Sequence, residues 1–323
     1  NTLSHIRLVS IHLKFLGAGT DMRQEERDYI KGKIKEGYGN SEIAMMAGMK
    51  FSKGFSPAEI SQIKYRNVKR EDIHEPELIK KFQSPELPDD DYLICSDVHA
   101  PFYSQIWVDR YFAVAKKFGI KKQIIVGDLF EFSAISSFPP LADGGKELSF
   151  SAELDICQEL ISRMAKTFQK SFLVSGNHER RIYRAFESSI PFSMILRYFP
   201  EMEKSFIFTP FDKVSVGKDW LLLHPVSYSQ ISGNVAFRLA AKFRKNILNA
   251  HGHFFCLRYD ASGKNLVVDL GGLFDVEKID YINLKSTTHP LWNPGFCMLR
   301  KGKIHLFHEF TDWEFYLGKE GKK

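Results

Sequence analysis

Five short apolar segments of this chain each end in an aspartate, an asparagine or a histidine. The segments are residues 92–96, 123–127, 171–176, 220–223 and 247–250, and the polar residues that follow them are Asp97, Asp128, Asn177, His224 and His251. Continuous apolar runs of this length are typical of strands that are buried on both faces of a sheet. In open α/β sheets, ligands bind beyond the carboxyl ends of the strands. The repetition therefore predicts an α/β domain with one polar site at the edge of its sheet.

The first of these strand ends continues to a second polar residue. Asp97 and His99 are separated by a single residue. Alternate residues of an extended chain point to the same side, so both side chains can aim at one point. A carboxylate and a neutral imidazole that meet at one point indicate a divalent metal ion.

The overall composition limits the class of protein. The chain has 323 residues and a net charge of +6, a length that suits one large α/β domain with an accessory segment. The positive charge is compatible with a polyanionic partner, and equally with a basic surface that has no such partner. Four scattered cysteines in apolar contexts are typical of core thiols in a reducing compartment, and they predict a cytoplasmic protein. No apolar run approaches the length of a membrane span, so we expect no membrane partner.

Residues 22–70 have the pattern of a small helical module. Apolar residues recur at helical spacing within residues 25–36, and a second short helix is predicted at 41–47. A third helix is expected to begin at Ser56, which a proline follows directly and Glu59 follows three residues later, as in a capping box.

The third predicted helix of this module ends in a basic run that contains Lys64, Arg66, Lys69 and Arg70. Three helices with a basic end resemble a helix-turn-helix module, in which the last helix enters the major groove of DNA. On that interpretation these four residues contact DNA. The connection at 49–55 is longer than the usual tight turn, and the alternative is a helical docking or oligomerisation element.

These patterns divide the chain into five predicted segments. They are a tail or extension at 1–21, the helix-turn-helix-like segment at 22–70, an acidic, proline-containing linker at 71–90, the α/β domain at 91–316 and a basic tail at 317–323. Within the α/β domain, helical spacing is found at 105–118, 154–168 and 235–246.

The polar strand ends occur in a characteristic order. They are Asp-x-His at 97–99, Gly-Asp at 127–128, Gly-Asn-His-Glu at 176–179, a single histidine at 224 and His-x-His at 251–253. In this order the blocks resemble those of the calcineurin-like metallophosphoesterase family. The resemblance implies a four-layer αββα sandwich with a dinuclear metal centre at the strand ends, and hence a metal-dependent hydrolase of phosphate esters.

The same resemblance implies a role for each block residue. One ion would be held by Asp97, His99 and His253, the other by Asn177, His224 and His251, with Asp128 bridging the two. Oxygen and nitrogen ligands favour Mn²⁺, with Fe, Zn²⁺ or Ni²⁺ as alternatives. His178 would face the substrate as the catalytic residue, stabilising charge on the phosphate or protonating the leaving oxygen. Glu131 would support His99 from behind.

The substrate is less constrained than the metal centre. Arg180 and Arg181 follow His178 and are predicted to bind a substrate phosphate, although charge on a surface helix explains them as well. The basic chain and the helix-turn-helix-like segment favour nucleic acid, so we expect a phosphodiesterase, a nuclease or an end phosphatase. The alternatives are an enzyme that acts on small nucleotides, and a DNA-binding regulator with a vestigial metal site. The complete ligand set argues against the regulator.

Overall fold

The structure is a computed structural model that describes residues 22–57, 59–60, 63, 84–137, 148–186, 192–279 and 292–318. Internal contacts divide the chain into two compact units, residues 1–83 and 84–323. In the described residues, no helix is both long enough and apolar enough to cross a membrane.

The first unit contains helix α1 (Gln24–Lys35) and helix α2 (Asn40–Phe51). The ring centroids of Tyr29 and Phe51 lie 5.5 Å apart, and this packing explains why α2 continues beyond the predicted end at residue 47. The predicted capping box is present, because the Glu59 amide donates to Ser56 Oγ at 3.2 Å and the Ser56 amide donates to the Glu59 carboxylate at 2.8 Å.

Several predicted features of the termini and the linker lie outside the described residues. They are the tail at 1–21, the basic residues Lys64, Arg66, Lys69 and Arg70, most of the linker at 71–83 and the end of the chain at 319–323. The helix-turn-helix-like arrangement therefore stays a prediction.

The second unit is built on two six-stranded sheets. The first sheet has the order β12-β11-β2-β3-β4-β5, in which β2 to β5 are parallel and β11 and β12 are antiparallel to their neighbours. Its strands are β2 (Tyr92–Cys95), β3 (Lys122–Ile125), β4 (Lys170–Val174), β5 (Phe206–Thr209), β11 (Gly295–Arg300) and β12 (Lys303–His308).

The second sheet has the order β1-β6-β7-β8-β10-β9. Its strands are β1 (Glu86–Leu87), β6 (Lys213–Val216), β7 (Trp220–Leu223), β8 (Asn246–Asn249), β9 (Phe255–Tyr259) and β10 (Leu266–Leu270). Strands β7, β8 and β10 are parallel, and β1, which falls within the range predicted as a linker, pairs with β6.

Seven helices accompany the sheets in the described part of this unit. They are α3 (Gln105–Phe118), α4 (Phe150–Thr167), α5 (Glu179–Ala185), α6 (Ser193–Tyr198), α7 (Pro200–Ser205), α8 (Asn234–Phe243) and α9 (Trp313–Leu317). Short 3₁₀ turns occur at Ser133–Ile135 and Val276–Lys278.

The central strands, such as β2 and β7, are buried on both faces, and this produces four layers. In β2, Leu93 packs in the cluster that contains α3 and α4, whereas Ile94 packs in the cluster between the two sheets. In β7, Leu222 enters the same intersheet cluster, whereas Leu221 packs with α8 on the outer side. Alternate residues of each strand therefore serve opposite layers, which explains the continuous apolar runs in the sequence. The predicted four-layer α/β sandwich is confirmed.

Candidate metal centre

The first ligand set, which we call the Asp97 group, consists of Asp97, His99 and His253. Asp97 and His99 follow β2, and His253 follows β8. Asp97 Oδ1 lies 3.2 Å from His253 Nε2, and the two histidine Nε2 atoms are 3.2 Å apart. All three residues are buried. Their ligand atoms lie within 4.8 Å of one another, which is close enough for one metal ion.

The second ligand set, which we call the Asp128 group, consists of Asp128, His224 and His251. These residues follow β3, β7 and β8, and their ligand atoms also lie within 4.8 Å of one another. Asp128 Oδ2 is 3.2 Å from His224 Nε2. Asn177, which follows β4, places its Oδ1 2.9 Å from the same nitrogen. The structure thus brings together all seven residues that the sequence predicts as metal ligands.

The backbone at these strand ends is unusual. Five of the seven predicted ligands have positive φ angles, namely Asp97 (48°), His99 (50°), Asp128 (52°), His251 (73°) and His253 (61°). Residues with a side chain enter this left-handed region rarely, at a cost of about 1–3 kcal/mol each. These backbone conformations occur directly after β2, β3 and β8, where they accompany five of the residues that meet at the shared site.

Two glycines allow the ligand loops to approach one another closely. Gly127 has a φ of 80°, and a Cβ there would lie 2.6 Å from Cγ of His224. A Cβ at Gly176 would lie 2.9 Å from the carboxylate carbon of Asp128. A side chain at either position would therefore displace a predicted ligand, which gives a physical reason for Gly-Asp and Gly-Asn in the sequence.

The donor atoms of the two groups fit divalent cations. Asp97 Oδ1 and Asp128 Oδ2 are buried and have no aligned hydrogen-bond donor; each instead faces an imidazole Nε2. A buried carboxylate oxygen without a partner is costly unless a cation compensates it. A mixed oxygen and nitrogen set of this kind suits first-row transition ions.

The protonation states of most ligands also suit a cation. Burial raises the pKa of Asp97, but the close approach of His253 Nε2 and the charge of His224 outweigh burial and hold the pKa at about 2. Burial lowers the pKa of His251 to about 4, with help from the charge of His224, so that His251 is neutral at pH 7. His224 is the exception, since Asp128 and Asp97 overcome burial and raise its pKa to about 10. Metal binding at His224 must release that proton.

His178 lies beside both groups and is held by a polar network. Its backbone amide donates to Asp128 Oδ1 at 2.9 Å. An Arg181 guanidinium nitrogen lies 3.0 Å from His178 Nε2, and arginine is only a donor, so Nε2 is the acceptor. His178 Nδ1 then donates to the Glu131 carbonyl oxygen at 2.7 Å. Burial lowers the pKa of His178, but the charges of Asp128 and Glu131 more than offset it, and the pKa is raised.

Glu131 links this network to the Asp97 group. Its Oε2 accepts a 2.6 Å hydrogen bond from His99 Nδ1, the support predicted from the sequence, and this leaves His99 Nε2 to face the site. Arg181 donates to the Glu131 carbonyl oxygen at 2.7 Å and to Oε1 at 3.2 Å. Arg181 therefore braces His178 and Glu131, while Arg180 lies half-buried on α5. A phosphate contact for either arginine stays a prediction.

Glu179 is a supporting residue to which the sequence patterns assigned no role. It is fully buried and accepts hydrogen bonds from the backbone amides of Asp128, Leu129 and Gly176 at 2.8–2.9 Å. One carboxylate thus ties the loop that presents Asp128 to the loop that presents Asn177. The signal that could have found it was its place in Gly-Asn-His-Glu, directly after two predicted site residues.

The two groups have different surroundings. The His253 ring lies 4.5 Å from the Phe274 ring and 4.3 Å from the Trp292 ring, so aromatic side chains enclose the Asp97 group. On the other side, His251 is partly exposed, and the Tyr228 ring lies farther away, at 6.4 Å between ring centroids. The centre is therefore closed at one ion position and open at the other.

Comparisons with known proteins agree with this geometry at the level of the family. A family model described as "Calcineurin-like phosphoesterase" matches residues 91–314. No curated protein matches the chain.

Three of the similar solved structures illustrate the range of matches. The phosphoesterase Yfce from E. coli is 14% identical, covers 65% of this chain and 88% of its own, and has a TM-score of 0.34. The nuclease MPE from Pseudomonas putida is 14% identical, with coverages of 67% and 87% and a TM-score of 0.30. Vacuolar Protein Sorting 29 from Cryptosporidium parvum is 15% identical, with coverages of 68% and 96% and a TM-score of 0.34.

Proposed function

This chain belongs to the calcineurin-like phosphoesterase family of metal-dependent phosphoric ester hydrolases, and on that premise we propose that it cleaves phosphate esters of nucleic acid at two divalent ions. One observation carries the proposal. Seven polar side chains from five strand ends converge, and two of their buried carboxylate oxygens have no aligned hydrogen-bond donor.

The proposed ligand sets extend the two groups described above. The Asp97 group would hold one ion, Asn177, His224 and His251 would hold the other, and Asp128 would bridge the two. We expect Mn²⁺ to support activity best, with Fe, Zn²⁺ or Ni²⁺ as alternatives. When bound, a pair of such ions supplies an activated water and neutralises charge on phosphate oxygens.

The chain's own residues complete the proposed chemistry. Glu131 orients both His99 and His178, since it accepts hydrogen bonds from each of them. His178 Nε2, which accepts from Arg181 at 3.0 Å, is the atom that would carry a proton to the leaving oxygen. Arg181 would then be free to donate to the phosphate. The raised pKa of His178 supports this role, because the ring then keeps its proton to a higher pH than an ordinary histidine does.

Two features support nucleic acid as the substrate. The chain has a net charge of +6. Helix α5 begins directly after His178 and carries Arg180, Arg181 and the exposed Arg184, so positive charge continues outward from the site. A basic surface next to the reacting centre attracts a polyanion and contacts its phosphates.

All four cysteines are unpaired, in line with the predicted cytoplasmic location.

An activity panel tests this proposal. Purified protein with Mn²⁺ is offered bis(p-nitrophenyl) phosphate, single-stranded and duplex DNA, RNA, cyclic nucleotides and phosphomonoesters. We expect hydrolysis of the diester and of at least one polymer. Cleavage of small nucleotides alone would contradict the nucleic-acid part of the proposal. Failure to hydrolyse any ester with Mn²⁺, Fe²⁺, Zn²⁺ or Ni²⁺ would contradict all of it.

The helix-turn-helix-like segment has a separate test. We propose that Lys64, Arg66, Lys69 and Arg70 bind DNA phosphates. Exchanging all four for glutamine in the full-length chain should weaken duplex binding in a mobility-shift assay. The plot of log affinity against log salt concentration should also flatten, by about 0.9 in slope for each phosphate that the variant no longer neutralises. An unchanged salt dependence would favour the docking or oligomerisation role instead.

A further inference from the structure

The loop of residues 225–233, which joins His224 to α8, exposes large apolar side chains beside the metal centre. Val226 is 69% exposed, Tyr228 46% and Ile231 67%. The exposed aliphatic groups and the exposed ring lie within one short segment that begins directly after a predicted ligand. Apolar side chains clustered at the edge of a polar site are typical of a binding surface.

This loop is held in a defined conformation. Ser229 Oγ accepts from the Ile231 amide at 3.1 Å and from Asn234 Nδ2 at 3.0 Å. At the far end, the Gly233 amide donates to the buried Asp269 carboxylate at 2.6 Å. The other oxygen of Asp269 accepts from Asn249 Nδ2 at 2.8 Å, at the end of β8. Asp269 therefore ties the loop to the strand that presents His251.

Tyr228 is the residue of this loop that meets the metal centre. Its ring lies 6.4 Å from the His251 ring, with the two planes at 85°. Beside this edge-on contact, Tyr228 remains 46% exposed. Tyr228 thus stands at the open side of the centre, next to the partly exposed His251.

We propose that Tyr228 is the stacking platform for a nucleobase of the substrate whose phosphate lies at the metal centre. The inference rests on the proposed function, because it assumes that the centre binds a phosphate ester. Every base presents a flat π-face, so a tyrosine at this place selects nucleosides over other groups without selecting among bases. The other exposed apolar side chains of this loop are Val226 and Ile231.

Equilibrium binding tests the inference without relying on turnover. Thymidine 5′-monophosphate and deoxyribose 5-phosphate, which lacks the base, are titrated calorimetrically into Mn²⁺-loaded protein. The variants are Tyr228→Ala and Tyr228→Phe, with Tyr259→Ala as a matched control, because Tyr259 is a 61% exposed tyrosine on β9. Hydrolysis of bis(p-nitrophenyl) phosphate is measured in parallel as the independent test of the proposed function.

We expect the wild type to bind the nucleotide at least about fivefold more tightly than the sugar phosphate. Tyr228→Ala should lose that preference, whereas Tyr228→Phe and Tyr259→Ala should keep it. The inference is overturned if the wild type shows no preference, or if Tyr228→Ala keeps it or weakens both ligands equally. If one of these results is found while the diester is still hydrolysed, only the role of Tyr228 is contradicted. If the diester is not hydrolysed, the proposed function itself is contradicted.

Discussion

The Asp97 group and the Asp128 group are built from the same residue types, yet their surroundings differ. The Asp97 group is buried throughout, braced from behind by Glu131 and enclosed by the rings of Phe274 and Trp292. In the Asp128 group, His251 is partly exposed, and the adjoining loop turns Tyr228 outward. The closed group is suited to retain its ion, and the open group is suited to receive the substrate.

The largest effect is expected where the two groups meet. Asp128→Asn removes the charge of the proposed bridge, so both ion positions should lose affinity and hydrolysis should fall by more than about 10⁴-fold. Metal analysis after dialysis and diester hydrolysis measure the two effects. Asp109→Asn, an exposed aspartate on α3, is the matched control and should change neither. Retention of either ion at wild-type affinity would show that Asp128 does not bridge.

A smaller effect is expected from substitution of His178, which lies beside both groups and is not a proposed ligand. His178→Ala should lower the turnover rate by about 10²–10⁴-fold, the usual contribution of general acid–base catalysis, while leaving the bound metal unchanged. Steady-state kinetics with metal analysis of the same samples separates the two quantities. His305→Ala, a histidine on β12, serves as the control. Loss of metal in parallel with rate would make His178 a ligand.

The hydrogen bond between His99 and Glu131 should make the metal affinities of the two groups respond differently to one substitution. Glu131→Gln weakens the bond that orients His99, so the ion of the Asp97 group should bind about 10–100-fold more weakly. The ion of the Asp128 group should be little affected, because no ligand of that group contacts the Glu131 side chain in the described structure. Calorimetric titration of Glu131→Gln with Mn²⁺ should therefore resolve two binding steps whose affinities differ more than they do in the wild type. Equal weakening of both steps would mean that the closed and open groups are not independent.

The last expected effect concerns stability rather than activity, at Glu153 on α4, which contacts the chain that follows Glu131. Burial raises the pKa of Glu153 to about 7, although the amides of Ala134 and Ser133 donate to it. The folded chain thus keeps a proton that the unfolded chain releases near its ordinary value of 4.5. The stability from this proton is complete below about pH 4.5 and is lost as the pH rises through about 7.

Glu153→Gln should remove that pH dependence. Relative to the wild type, the free energy of unfolding of the variant should rise by on the order of 2 kcal/mol between pH 4.5 and pH 8. Urea denaturation at several pH values measures it, and Glu159→Gln, an exposed glutamate on the same helix, should follow the wild type. A parallel pH dependence in Glu153→Gln and the wild type would contradict a buried, protonated Glu153.

Much of the fold and of the candidate site could be predicted from local patterns. A strand buried on both faces leaves a continuous apolar run, and the residue after it must lie at the sheet edge. Asp97, Asp128 and His224 were located on that basis. Helix α3 agrees with its predicted range of 105–118, because its apolar spacing ends at a glycine with a φ of 66°.

The remainder depends on contacts between distant parts of the chain. Glu179 is a supporting residue because three amides point at it, and two of them belong to residues about 50 positions earlier. Arg181 braces Glu131 and His178 through its guanidinium, a contact that the sequence did not predict, while its predicted phosphate contact stays a prediction. The two-residue strand β1 is too short to leave a periodic pattern. No local pattern encodes any of these contacts.

The left-handed backbone at five predicted ligands has a consequence for the speed of metal uptake. The ligand loops already hold their turns, and the amides bound by Glu179 keep the loops that present Asp128 and Asn177 together. The conformational entropy of the ligand loops is therefore lost during folding, and metal binding does not have to order them. The rate of uptake should follow how quickly each metal sheds its water shell, rather than how quickly the chain rearranges.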